Sequence, residues 1–291
     1  MTGKKAVSAT VIADSISEAG ARLTTLELHF PRYLLAELNT HRDFSRNSAS
    51  SRARSVQKTI AEVEADPYVP HAFYREIRGM SGGTLLWGDA GRSVRAVWLA
   101  ASLEAVENAR LLARAGVHKS QVNRLLEPFM WHTAVVTATS WDNFFAQRLA
   151  LLDDGRPAAD PVFFALAQRM RAALGDSTPI ELYQHEWHAP YTTAEDYVDL
   201  LLGYPDWDPL ESCKQVSVAR CAGVSYLNQD TVREYAKDLA LYQRLVTAKP
   251  PHWSPFEHVA VPDADPDRRF YNLSGWRSLR WELQSERKEK S

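Results

Sequence analysis

One polar segment concentrates side chains that bind anions and polar ring edges. The thirteen residues 40–52 contain three arginines, one histidine, four serines and one asparagine. Guanidinium groups, hydroxyls and free backbone N–H groups are the donors that hold phosphates and heterocycles in proteins. The same composition is equally typical of a solvated surface loop. A ligand-binding loop and an ordinary surface loop are therefore both compatible with this segment.

A second chemical signal is an arginine on the apolar face of a predicted helix. Trp141, Phe144 and Phe145 define that face, and Arg148 follows Phe144 by four residues, so it lies on the same stripe. An inward-pointing arginine needs an anionic or polar partner, because an unpaired buried charge is strongly destabilising. The alternatives are a structural salt bridge or a side chain that reaches out to water. Arg124, which precedes two leucines, poses the same question.

Several other chemistries are excluded or disfavoured. The sequence has no P-loop, no glycine-rich dinucleotide motif and no HExxH zinc motif. His185 and His188 have a spacing that suits a metal on a helix, but no third ligand is evident, so surface or structural roles are favoured. Cys213 and Cys221 have no activating base nearby in sequence, and we expect both to be passive. No metal site is predicted.

Composition limits the class of protein and its partners. The 291 residues include 34 Lys and Arg against 36 Asp and Glu, so the net charge of −2 provides no field for nucleic acid or anionic membrane. Two cysteines indicate a reducing compartment. The first residues lack an apolar signal region, and no run of about 18 apolar residues occurs. We expect a cytoplasmic protein that binds neither nucleic acid nor membrane.

The chain begins with a pattern of strands and then becomes mainly helical. Alternating apolar residues predict a strand over 23–30, which pairs with 5–13 across a turn at Gly20. A helix is expected over 31–40, and 41–56 is expected to be a loop or a broken helix. Further helices are predicted at five places: 101–115 ended by Gly116, 120–127 capped by Ser120, 140–152 capped by Ser140, 161–175 opened by Pro161, and a last one from Asp230 to Val246. The fold class is therefore α+β.

The polar segment resembles the signature of flavin-dependent thymidylate synthases, an RHR motif followed by S, N, E, S and R at fixed spacing. Six residues match it in register: His41, Arg42, Ser45, Asn47, Ser50 and Arg52. Thr40 stands where the signature has its first arginine, and Ser48 stands where it has its glutamate. The departure at Thr40 removes a positive charge, and the departure at Ser48 removes a negative charge.

Four further blocks extend this resemblance. Residues 116–128 are similar to the family helix that carries a phosphate-binding arginine, and 143–148 to the block whose arginine contacts the pyrimidine. Residues 219–226 and 252–258 match elements that precede the signature in most members, but here they follow it. The order therefore looks circularly permuted, as in a phage-like variant, which is physically permissible where chain termini lie close together at the surface.

The resemblance implies a fold, an activity and an assembly. It implies one catalytic domain over 1–291, with helices packed on a small, mostly antiparallel sheet in permuted order, an insertion at 176–210 and an extension after 262. It implies transfer of a one-carbon unit to C5 of dUMP, giving dTMP, with FAD as cofactor and methylenetetrahydrofolate and NADPH as co-substrates. Members of the family are homotetramers. Two alternatives stay open: a dUMP or dCMP 5-hydroxymethylase on the same scaffold, and a non-catalytic nucleotide-binding homologue.

The resemblance also assigns roles to individual residues. The catalytic set is Arg148, Ser50 and His252. The nucleotide-binding set is Glu37, Ser50, Ser51, Arg52, Arg124 and Arg148. The flavin-binding set is His41, Arg42, Asn47, Ser225, Ser254 and Glu257. Glu37 stands where a glutamine often contacts the nucleotide, and Thr137 and Thr139 replace flavin-contacting residues, so the pocket is expected to be altered.

Overall fold

A five-stranded sheet lies at the centre of the computed structural model, which describes residues 6–79, 82–224 and 234–289. Its strands are β1 (Ser8–Ser17), β2 (Arg22–Pro31), β3 (Ser45–Ser48), β4 (Trp131–Ala138) and β5 (Ile180–Leu182). Their spatial order is β3-β4-β2-β1-β5, and all neighbours are antiparallel except β1 and β5. The predicted strand at 23–30 and its pairing with the preceding strand are confirmed.

Helices and two small ribbons surround this sheet. The ribbons are formed by β6 (Ala260–Pro262) with β9 (Trp276–Ser278), and by β7 (Arg269–Phe270) with β8 (Leu273–Ser274). The helices are α1 (Leu35–Leu38), α2 (Val56–Ala65), α3 (Gly88–Arg114), α4 (Lys119–Val122), α5 (Asp142–Arg148), α6 (Pro161–Gly175), α7 (Ala194–Gly203), α8 (Pro209–Gly223), α9 (Tyr235–Thr247) and α10 (Leu279–Glu289). Single 3-10 turns occur at Arg32–Leu34, Asn123–Phe129 and Ser254–Glu257. The α+β class with a small, mostly antiparallel sheet is confirmed.

The sheet has one apolar and one polar face, as the alternation of β2 requires. Leu26, Leu28 and Phe30 are fully buried and join the core cluster that contains the buried side of α6. The residues between them face the opposite side, where α8 and Ser254–Glu257 pack against β3. The C-terminal half of the chain therefore covers the polar face of the sheet.

A separate core fixes the end of the polar segment. Val56, Ile60 and Val63 of α2 pack with Val106 of α3 and with Leu126. Ser55 caps α2 by accepting a hydrogen bond from the backbone of the first turn. This packing holds the loop before α2 against the Asn123–Phe129 turn.

Several predicted boundaries are wrong, each for a physical reason. Residues 41–56 include a strand, because Ser45–Ser48 pairs with β4 at the sheet edge, where polar residues give no hydrophobic alternation. Helix α3 begins at Gly88 rather than at 101, and its first turns expose apolar residues. Helix α4 is capped by His118 rather than Ser120.

The later helices also differ from prediction. Helix α5 begins at Asp142 without a side-chain cap and ends at Arg148, so Ser140 is not its cap. Asp230, the predicted cap of the last long helix, lies outside the described residues. Helix α9 begins at Tyr235 and lies where the last long helix is predicted, and the shorter α10 follows it. The predicted insertion at 176–210 forms β5 and α7, and the part after 262 forms β7, β8, β9 and α10. Within the described ranges, no helix is long and apolar enough to cross a membrane.

Candidate functional site

Arg148 ends α5 and meets the polar segment there. Its Nε donates to Nε2 of His41 at 2.9 Å, and its Nη2 lies 3.4 Å from the Thr40 hydroxyl. Its Nη1 lies 3.7 Å from a carboxylate oxygen of Glu37. The guanidinium carbon lies 4.5 Å from the centroid of the Phe163 ring. Two predicted site residues of the 37–41 stretch, Glu37 and His41, thus meet the predicted Arg148, whose side chain is 19% exposed.

The protonation states of this cluster follow from its surroundings. Burial, and then the charges of Arg148 and Arg46, lower the pKa of His41 to about 4. The imidazole is therefore neutral near pH 7, which leaves Nε2 free to accept from Arg148. Burial, followed by the nearby Asp160 charge, raises the pKa of Glu37, and Arg148 opposes that shift.

Aromatic rings pack around the imidazole of His41. The Phe144 ring meets the imidazole edge-on at 4.8 Å between centroids, and Phe44 lies on another side at 5.7 Å. Trp141 packs on Phe44 at 4.8 Å. These rings come from the apolar face of α5 and from the polar segment itself. They remove water from His41, which accounts for its lowered pKa.

Arg52 and Arg124 form a second group of predicted site residues. Both side chains are exposed, and neither makes a hydrogen bond or ion pair with another residue of the described chain. The segments that carry them are joined, because the buried Asn123 amide donates to the carbonyls of Ser51 at 2.9 Å and Arg54 at 3.1 Å. Two guanidinium groups that have no partner within the described ranges therefore project from adjoining pieces of backbone.

The Ser51 hydroxyl, which was predicted to contact the nucleotide, is engaged inside the chain. It donates to Glu127 and lies 3.4 Å from a guanidinium nitrogen of Arg32. Arg32 also donates to the Ala49 carbonyl at 2.9 Å and lies 3.2 Å from Glu127. The hydroxyl of Ser51 therefore supports the loop, whereas Ser50 beside it is exposed.

Asn47 of β3 joins the polar segment to residues of both later blocks, 219–226 and 252–258. Its Nδ2 donates to the carbonyl of Cys221 in α8 at 2.7 Å. Its Oδ1 accepts from the Ser254 hydroxyl at 3.3 Å. Two of the predicted flavin-binding residues are thus in contact across 207 positions of sequence. Ser225, a third member of that set, lies outside the described residues.

The remaining predicted flavin-side residues differ in how open they are. Arg42, His252 and Ser254 are exposed, and Arg42 has no hydrogen-bonding or ionic partner elsewhere in the described chain. Glu257 accepts a hydrogen bond from Arg280. Burial lowers the pKa of Arg46, and the charge of Glu257 opposes that shift. The guanidinium, the imidazole and the Ser254 hydroxyl, which contacts Asn47, are donors that suit an anionic cofactor with a polar ring edge. The residue types therefore fit FAD.

Some residues of this region were not found from the sequence. Asp160 caps α6 through the backbone N–H groups of Val162 and Phe163, at 2.8 and 3.1 Å, and accepts from the Tyr33 hydroxyl at 3.3 Å. An aspartate directly before Pro161 and an apolar helix is the sequence signal that indicates this cap. Asn123 and Arg32 gave no such signal, because their partners lie far away in the sequence.

The described residues contain no cluster of three histidine, cysteine, aspartate or glutamate side chains placed to hold a metal ion. His188 is buried, with Nδ1 2.8 Å from the Ser15 hydroxyl and Nε2 2.8 Å from the Thr25 hydroxyl, so it has a structural role. Burial raises the pKa of the Cys213 thiol to about 11 and raises that of Cys221 further. Neither cysteine is a thiolate near pH 7, which agrees with the passive role predicted for both.

The backbone is similar to solved structures of two named proteins. Two are structures of the UMP/dUMP methylase PolB from Streptomyces cacaoi, one bound with 5-Br dUMP and one with 5-Br UMP. The first is 16% identical to this chain, covers 59% of it and 91% of its own chain, and has a TM-score of 0.48. The second is 17% identical, covers 59% of this chain and 90% of its own, and has a TM-score of 0.49. The third is thymidylate synthase X from Helicobacter pylori with FAD and dUMP, at 18% identity, 52% and 67% coverage and a TM-score of 0.35. No protein-family model matches the sequence, and a search of curated proteins finds no match.

Proposed function

We propose that this chain is a flavin- and folate-dependent enzyme that transfers a one-carbon unit to C5 of dUMP and gives dTMP. The observation that supports this most directly is the hydrogen bond from Arg148 to His41. It joins the arginine expected to face the pyrimidine to the histidine of the signature segment. The two come from regions that resemble one family independently, and the Arg148 side chain remains partly exposed to solvent.

Arg148 is the group that controls charge on the base. Its Nε–H donates to His41, whereas its Nη groups make long contacts to Thr40 and Glu37, at 3.4 and 3.7 Å, and no shorter polar contact with any other described residue. The guanidinium is therefore oriented but still able to donate to a ligand. Donation to the O2 and N3 edge of uracil favours the anionic ring, in which C5 is more nucleophilic. This is electrostatic stabilisation by a preorganised cation.

Arg52 and Arg124 are proposed to bind the nucleotide phosphate. Each guanidinium offers paired N–H donors that match phosphate oxygens, and both are unpaired among the described residues. The net charge of −2 gives no general attraction for anions, so this local pair supplies it. Ser50 is exposed two residues before Arg52 and supplies a hydroxyl at the same loop.

The flavin side is assigned to Arg42, Asn47, Ser254, Glu257 and His252. FAD, when bound, supplies hydride transfer from NADPH, and methylenetetrahydrofolate supplies the carbon. Arg42 binds anionic oxygens, and Ser254 and His252 donate to a polar ring. Asn47 fixes the relative position of β3, α8 and Ser254.

A homotetramer is part of the proposal. Exposed apolar residues along α3 support self-association, because contiguous apolar surface on a folded chain marks an interface. Leu99 and Leu103, one turn apart on this helix, are 37% and 59% exposed. A subunit interface there would lie next to the Asn123–Phe129 turn, which packs on α3.

A second candidate substrate is dCMP. Glu37 places a carboxylate beside Arg148, where the family often has glutamine. A carboxylate accepts from the exocyclic amino group of cytosine, which uracil lacks. The 5-hydroxymethyl product, formed when water rather than hydride completes the reaction, is the corresponding alternative to the methyl product.

The first test is product analysis with a matched pair of arginine variants. Protein loaded with FAD is incubated with dUMP or dCMP, methylenetetrahydrofolate and NADPH, and the product is weighed by mass spectrometry. We expect dTMP, and a product heavier by one oxygen would identify the hydroxymethylase instead. Arg148→Ala is expected to remove nearly all turnover, by about a hundredfold or more as for other oriented charge donors. Arg169→Ala, at an exposed position on α6, is the control.

Two results would contradict the proposal. One is undiminished turnover in Arg148→Ala with normal circular dichroism and FAD absorbance. The other is a wild-type protein that acquires no flavin bands with FAD and forms no product from either nucleotide, which would identify a non-catalytic homologue.

A further inference from the structure

The segment that carries Arg124 also fastens the loop that carries Arg52. Asn123 is completely buried at the start of the Asn123–Phe129 turn. Its single Nδ2 group donates to two carbonyls, of Ser51 at 2.9 Å and of Arg54 at 3.1 Å. These carbonyls flank Arg52 in the chain. One amide therefore fixes the backbone on both sides of that arginine.

A second group of hydrogen bonds holds the other end of the same loop. Arg32 donates to the Ala49 carbonyl at 2.9 Å and lies 3.1 Å from Nδ1 of His132. Burial lowers the pKa of His132 to about 3, so the imidazole is neutral and accepts from the guanidinium. The loop is thus held through backbone carbonyls, and the side chain of Arg52 is not used to hold it.

We propose that Asn123 is a positioning residue for the phosphate site, and that it holds Arg52 beside Arg124 before the nucleotide arrives. This inference rests on the proposed function, because it assumes that the two arginines bind phosphate. An arginine on a free loop must be ordered when it binds, and that ordering reduces affinity. The hydrogen bonds from Asn123 order the backbone around Arg52 in the folded protein, before the ligand binds.

The bonding of Asn123 is consistent with this specific task. Its Oδ1 is buried and has no hydrogen-bond partner among the described residues. A buried acceptor without a partner is destabilising. An amide is therefore a poor residue for filling the core, and within the described part of the chain the side chain of Asn123 makes its hydrogen bonds through Nδ2.

The test compares a ligand that has the phosphate with one that lacks it. Affinities of FAD-loaded protein for dUMP and for deoxyuridine are measured by titration calorimetry in the wild type and in Asn123→Ala. We expect the variant to bind dUMP about tenfold more weakly, the cost of ordering one long side chain on binding, with unchanged affinity for deoxyuridine. A purely structural role would weaken both ligands alike. Asn123→Ser, which keeps one donor, is expected to give an intermediate dUMP affinity and covers the case in which Asn123→Ala does not fold.

A double-mutant cycle identifies the residue through which Asn123 acts. In an Arg52→Ala background, Asn123→Ala is expected to cause little further loss of dUMP affinity. If Arg52→Ala leaves the preference for dUMP over deoxyuridine unchanged, the phosphate site of the proposed function is wrong. If Arg52→Ala abolishes that preference but both Asn123 variants retain it, only the present inference is wrong. Asn108→Ala, exposed on α3, is the control.

Discussion

Arg148 owes its position to a neutral acceptor rather than to a close ion pair. His41 takes its Nε–H at 2.9 Å, whereas the Glu37 carboxylate stays 3.7 Å away. A neutral partner leaves the positive charge of the guanidinium available to a ligand, which a close carboxylate would cancel. The burial that lowers the pKa of His41 to about 4 therefore preserves the charge of Arg148 near pH 7.

Glu37→Gln is expected to change the response of the site to negative charge on the base. Removing the carboxylate favours the anionic ring, so 5-bromo-dUMP, whose N3 is more acidic, should gain affinity relative to dUMP. The expected gain is about fivefold, which corresponds to roughly 1 kcal/mol for two charges separated by several ångströms near a surface. Competitive binding titrations at pH 8 measure it, with the exposed Glu104→Gln on α3 as control. An unchanged ratio of the two affinities would mean that Glu37 does not face the base.

The sequence indicated a functional residue where a charged side chain on an apolar face needed a polar partner. An arginine on the stripe of Phe144 had to find one, and the structure supplies His41. The identity of that partner was not predictable from spacing, because 107 positions separate the two residues. Asn123 was missed for the same reason, since its bonds go to carbonyls 69 and 72 positions away.

At the scale of elements, strand β3 is the connection between the two halves of the chain. It pairs with β4 on one side, and Asn47 reaches α8 and Ser254 on the other. An edge strand that is covered by later elements in this way is protected from pairing with other chains. Its position also brings the signature segment against both blocks of the proposed permutation.

Asn47→Asp tests this connection. The carboxylate cannot donate to the Cys221 carbonyl, and it places two acceptor oxygens against each other. We expect FAD affinity to fall about tenfold, because one hydrogen bond is lost and one repulsive contact is formed. The variant is expected to keep the wild-type fold. Flavin fluorescence titration measures the affinity, and Asn108→Asp on the exposed side of α3 is the control. Equal FAD affinity in the two variants would remove Asn47 from the cofactor site.

Elements with strong periodicity or a clear cap were predictable, and elements that depend on distant contacts were not. Strand β2 and helix α6 show alternation and an Asp-Pro start, and both lie where expected. Strand β3 has only polar residues, so its pairing with β4 decides its conformation. Helix α3 extends back to Gly88 across an exposed apolar stretch, where neither a cap nor amphipathic spacing marks the beginning.

At the scale of the molecule, a buried chain of hydrogen bonds joins the sheet to the C-terminal half. His188 contacts Thr25 at 2.8 Å, Thr25 contacts Thr137 at 2.7 Å, and Thr137 contacts Nδ1 of His258 at 2.8 Å. Both imidazoles are completely buried, and burial lowers the pKa of each to about 3. The contact between the sheet and the C-terminal half therefore depends on two neutral histidines, so its contribution to stability falls when the pH is lowered.

The free energy of unfolding is expected to fall as the pH falls below 6.5. The unfolded chain takes up protons on these histidines near pH 6.5, whereas the folded chain resists protonation until about pH 3. The stabilising contribution is therefore complete above pH 6.5 and is lost on acidification. At pH 5 the loss is about 2 kcal/mol for each such histidine. Urea unfolding at pH 7 and pH 5 measures it.

His188→Gln separates this effect from general acid sensitivity, because glutamine keeps polar atoms in the chain of hydrogen bonds but does not titrate. The variant should be less stable than the wild type at pH 7, and its loss between pH 7 and pH 5 should be smaller by about 2 kcal/mol. His185→Gln, three residues earlier and exposed, should keep the wild-type dependence on pH. Identical dependence in all three proteins would show that His188 does not enter the folded structure as a neutral buried group. The junction between the sheet and the C-terminal half would then owe nothing to its protonation state.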